Sequence, residues 1–71
     1  MKYTSITRRI VEELDYCNHY KIVDPDPDTG TVSIFFYYDN PVDVVIWNLD
    51  KEFFDIMLKN IFETAKIKRI Q

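Results

Sequence analysis

A chain of 71 residues is one small domain, spanning 1–71, and a domain of this size removes only about 60 % of its unfolded surface from water. Its 46 % hydrophobic and 15 % aromatic residues exclude a disordered tail and provide the large side chains that so small a core requires. A single cysteine, Cys17, excludes an intramolecular disulfide, and no apolar run approaches the roughly 20 residues that span a bilayer.

Arg8, Arg9, Glu12, Glu13 and Asp15 interrupt the region where a signal peptide carries its apolar core, so a soluble cytoplasmic protein is expected. The net charge of −3 conceals an uneven layout. Residues 22–58 carry Asp24, Asp26, Asp28, Asp39, Asp43, Asp50, Glu52 and Asp55 against Lys51 alone, a net of −7. Residues 59–71 carry Lys59, Lys66, Lys68 and Arg69 against Glu63, a net of +3. Asymmetry of this kind speaks to partners rather than to fold.

The first segment, SITRRIVEELDYCNHY, places Ile6, Ile10, Leu14 and Cys17 at spacings of four, four and three, which predicts an amphipathic helix. Thr4 or Ser5 can accept its first amide hydrogens, and Arg8–Glu12 and Arg9–Glu13 are candidate ion pairs on its outer face. YKIV (20–23) reads as a short strand, DPDPDTG (24–30) as a stiff connection with Gly30 at a positive φ, and TVSIFFYY (31–38) as a longer strand. Asp39-Asn40-Pro41 signals a turn and VDVVIW (42–47) a third strand. Connections this short force antiparallel pairing.

NLDKEFFDIMLKNIFETAKIKRI carries Phe54, Met57, Leu58, Ile61 and Ala65 at helical spacing, widened by Phe53 and Phe62. Asn48 or Asp50 can cap this helix, and Lys66, Lys68 and Arg69 suit its C-terminal end. The expected fold is α+β in the order α-β-β-β-α: a three-stranded antiparallel meander with two helices packed on one face. If Asp43 faces outward, Val42, Val44 and Ile46 face inward with Val32, Ile34 and Phe36. The outer face then displays Phe35, Tyr37, Val45 and Trp47, an apolar patch suited to a dimer or another partner.

Reactive chemistry finds little support. Asp24, Asp26 and Asp28 match positions one, three and five of a calcium loop, but Thr29 stands where the turn needs Gly and Phe35 where a bidentate Glu belongs. No metal site and no cofactor are expected. Cys17 and His19 lack the orienting third group of a nucleophile–base set, so no catalytic residues and no enzyme activity are expected. KIKRIQ could touch phosphate and FFYY could stack bases, but a nucleic-acid binder is normally basic overall.

In size, acidity and α-β-β-β-α order, with DPDPDTG, YYDNPVD and LDKEFFD carrying the acid, the chain resembles small phage-encoded DNA-mimic inhibitors such as the one that blocks the bacterial histone-like protein HU. Some anti-CRISPR proteins have similar proportions. The resemblance implies a non-enzymatic inhibitor in the cytoplasm of a bacterial host, with Asp24, Asp26, Asp28, Asp39, Asp43, Asp50, Glu52 and Asp55 standing in for phosphates before a basic partner. A homodimer is expected as well, pairing through the outer sheet face or an edge strand. Two other readings stand beside the inhibitor: a regulatory or assembly module working through the outer sheet face, and a nucleic-acid binder working through the basic C-terminus.

Overall fold

The computed structural model describes residues 2–23 and 26–70, with side chains from residue 5 onward. The order is α1 (Lys2–Tyr16), β1 (His19–Val23), β2 (Thr31–Tyr37), β3 (Val44–Asp50), a second helix α2 over 51–64, a 3₁₀ turn (Lys66–Lys68) and β4 (Arg69–Ile70). The class is α+β as expected, but the sheet of the described residues has four strands, ordered β3-β2-β1-β4. The three expected strands form the antiparallel meander, and β4 adds to it in parallel, Tyr20 facing Arg69 and Lys21 facing Ile70.

Both helices cover one face. From α1 the buried residues are Ile10 and Leu14, followed by Cys17 just past its end, from β2 Val32, Ile34 and Phe36, from β3 Leu49, and from α2 Phe53, Leu58 and Phe62. Tyr20 is fully buried among them, its ring edge-on to Phe62 at 5.2 Å and its hydroxyl donating to the Phe62 carbonyl at 3.1 Å, so its one polar group is satisfied. Helix α1 begins at Lys2, which places Thr4 and Ser5 inside it rather than at its cap. Arg9 and Glu13 part company: Arg9 lies 5.9 Å over the Trp47 ring, and Glu13 accepts the Tyr38 hydroxyl at 2.6 Å.

Helix α2 is interrupted by a π-helical turn, Phe54–Leu58, between α-helical Lys51–Phe53 and Lys59–Thr64. In an α-helix residues five apart diverge by about 140°, whereas i→i+5 bonding brings them nearly onto one side. That is how Phe53 and Leu58 both reach the core while Met57, expected in the stripe, is left 44 % exposed. Asp50 occupies the N-cap position but its carboxylate makes no cap bond; the Lys51 amide instead donates to the Gly30 carbonyl at 3.0 Å. The helix stops at Thr64, six residues short of the expectation, because Lys66–Ile70 turn back to dock beside β1.

Candidate functional site

The site is built by two things the sheet does: it leaves one face without a covering layer, and it gathers carboxylates at its two ends. The face comes first. Register pairs Phe36 with Val45, Ile34 with Trp47 and Val32 with Leu49, and directly paired residues share a face. Val45 and Trp47 therefore pack against the core with the buried β2 residues, contrary to their expected outward position. The phase differs from the expected one because Asp43 is not in a strand. Asn40 closes the turn by accepting the Asp43 amide at 2.9 Å on its carbonyl and the Val42 amide at 3.2 Å on its side chain. The alternation that sets the phase is Asn48 out, Leu49 in, Asp50 out.

The open face instead carries Phe35 and Tyr37, as expected, with Val44 and Ile46 in place of Val45 and Trp47. Register sets these in rows across the strands. One row is His19, Tyr37 and Val44, in which the His19 ring stacks on Tyr37 at 4.9 Å. The next is Ile70, Lys21, Phe35 and Ile46. The third is Val23, Ser33 and Asn48, in which the Ser33 hydroxyl donates to the Asn48 amide oxygen at 2.6 Å.

Carboxylates flank this band. At the Thr31 end, Asp50 is paired with Thr31, and Asp26 and Asp28 sit in the turn that feeds β2. Asp26 has a structural task there, accepting the Asp28 amide at 2.8 Å while its own amide donates to the Thr31 carbonyl. Gly30 supports the turn with φ +69°, as expected. Glu52 and Asp55 follow in the first turns of α2. Asp24 lies outside the described residues. At the Tyr37 end stand Asp39, which accepts the Asn18 side-chain amide at 3.0 Å, and Asp43. The eight candidate acids are thus not one row. They form two groups separated by the length of β2, roughly 20 Å for seven residues. Among the described residues, Lys51–Asp55 is the ion pair, so the other carboxylates of the two groups face solvent without a cationic partner.

The basic C-terminus is divided. Lys68 donates to the carbonyls of Leu14 and Asp15, while Lys59, Lys66 and Arg69 line, with Lys51, Asp55 and Glu63, a cavity of about 440 Å³. Cys17 is buried with its thiol directed to the Leu14 carbonyl, and burial pushes its pKa up, the opposite of what a nucleophilic thiolate requires. No helix of the described residues is long and apolar enough to cross a membrane. Compared with protein-family models, with curated proteins and with solved structures, the chain matches none of them.

Proposed function

We propose that this protein is a non-enzymatic inhibitor that occupies the nucleic-acid-binding surface of a basic bacterial protein, a DNA mimic without chemistry of its own. The observation that carries the reading is the pair of exposed carboxylate groups, Asp26, Asp28, Asp50, Glu52 and Asp55 at one end of the sheet and Asp39 and Asp43 at the other, with Lys51 their one ion-paired cation among the described residues. Long-range attraction would steer a basic partner onto these ends, and like-charge repulsion would exclude acidic ones.

Magnitudes decide how far the charge alone can go. Duplex DNA carries one charge per about 1.7 Å of axis, or roughly 12 phosphates over the 20 Å between the two ends. The seven described carboxylates carry little more than half of that. Charge therefore steers and orients, and the apolar band of Phe35, Tyr37, Val44 and Ile46 between the ends must hold the partner by burial. This band also favours a second reading, a regulatory or assembly module that binds through the sheet face alone.

Immobilised protein and a nuclease-treated bacterial lysate separate the two. Retention of a basic nucleic-acid-binding protein that is released by short duplex DNA supports the inhibitor. Retention of a partner that survives saturating duplex overturns it in favour of the assembly module.

A further inference from the structure

The two edges of the sheet are treated differently. On one side β4 is two residues long and carries Arg69. On the other, β3 is a free edge of seven residues, with an unbroken register to β2, no proline, no lysine and no bulge, which are the devices that normally blunt an edge. The bonds that bracket β3, Tyr38 N–H to the Asp43 carbonyl and Lys51 N–H to the Gly30 carbonyl, set its phase. Antiparallel bonding alternates every second residue, so Val45, Trp47 and Leu49 bond inward to β2. Val44, Ile46 and Asn48 turn their N–H and C=O groups to the open edge.

We infer that β3 pairs antiparallel with β3 of a second copy, about a two-fold axis at Trp47, to make one continuous eight-stranded sheet. Three observations select this occupant and this register. Centring on Trp47 overlaps the full strand Val44–Asp50, and Ile46 then exchanges both main-chain bonds with Asn48 of the second copy. The same register sets Val44 opposite Asp50 of the second copy, twice by symmetry, and places no carboxylate opposite another within the paired strands. Apolar exposure also follows this edge. Tyr16 (80 %) and Val42 (81 %) share a hollow with Val44 at its start, and Ile56 (69 %) and Met57 share another with Asp50 at its end. An antiparallel pair brings each hollow against the other.

The dimer stands independently of the proposed inhibition, and its test uses no partner. Sedimentation equilibrium at about 100 µM should give twice the 8.6 kDa chain mass. Ile46→Pro removes an N–H that only the edge uses, so it should leave the circular dichroism spectrum folded and the mass at 8.6 kDa. Val44→Cys and Asp50→Cys proteins should cross-link on oxidation when mixed, and neither should cross-link alone. A monomeric wild type overturns the inference, as does an Ile46→Pro protein that still dimerises. Cross-linking of either single variant with itself as readily as in the mixture overturns the register.

Discussion

The ammonium of Lys68 donates to the carbonyl of Leu14 at 2.8 Å, joining residues 54 positions apart in the chain. It reaches the Asp15 carbonyl as well, at 3.2 Å. The last turn of α1 has no glycine cap and no basic residue of its own, so its free carbonyls and the negative end of its dipole are met by a cation from the other end of the chain. Lys68→Met should therefore cost about 1–2 kcal/mol, the worth of a charge-assisted hydrogen bond at a partly exposed site, while Lys66→Met should stay within about 0.5 kcal/mol. Urea unfolding checks both. Equal losses for the two would remove Lys68 from its role as a cap.

Stability should fall on the alkaline side. Burial raises the pKa of Cys17, Tyr20 and Tyr38, and for Tyr38 the hydrogen bond to Glu13 and the charge of that carboxylate add to the rise. The folded state then keeps protons that the unfolded chain releases near its ordinary values of about 8.5 for the thiol and 10 for the phenols. With more protons bound in the folded state, stability is full below those values and declines as pH climbs above them. The melting temperature should be flat from pH 7 to about 8 and fall from about pH 9 upward. Tyr38→Phe should melt lower at pH 7 but with a shallower alkaline decline. A melting temperature unchanged up to pH 11 contradicts this account.

The phase of β3 predicts opposite sensitivities at adjacent positions. Trp47 packs on the core beneath Arg9, so Trp47→Ala should cost about 2–4 kcal/mol, somewhat below the usual loss for a fully buried aromatic. Ile46→Thr keeps β-branching on the open face and should cost less than about 1 kcal/mol. Unfolding is best measured at sub-micromolar protein, where association does not contribute. The reverse order would mean that the strand presents its other side.

Gly30 sits at φ +69° with nothing within 4 Å of where a side chain would project, so only backbone strain opposes substitution. Gly30→Ala should cost about 1–2 kcal/mol and Gly30→Asn less, because asparagine tolerates the left-handed region. An alanine variant as stable as wild type would show that the turn adopts another conformation.

Much of this architecture was legible because it is written locally. Ile10, Leu14 and Cys17 recur at helical spacing, and Val32, Ile34 and Phe36 alternate against Ser33, so α1, β2 and their buried faces follow from pattern alone. The failures are non-local. Asp43 looked like an outward strand residue and is a turn residue, which reversed the parity of β3 and exchanged Val45 and Trp47 for Val44 and Ile46. The π turn that buries Phe53 and the return of Arg69–Ile70 to β1 depend on contacts that periodicity does not encode. The acidic residues were visible as charge, but their division into two ends required the strand order.

The central claim, that the carboxylates at the ends of the sheet steer and orient a basic partner, is tested most directly by the salt dependence of binding to the purified captured protein. The comparison is between wild type and the Asp26→Asn, Asp28→Asn, Asp50→Asn triple variant, which keeps side-chain shape and turn propensity. At 50 mM salt the variant should bind at least about tenfold more weakly, and the two should converge near 1 M, where screening acts within about 3 Å. Equal affinity at 50 mM salt would contradict the claim and leave the apolar sheet face as the working surface.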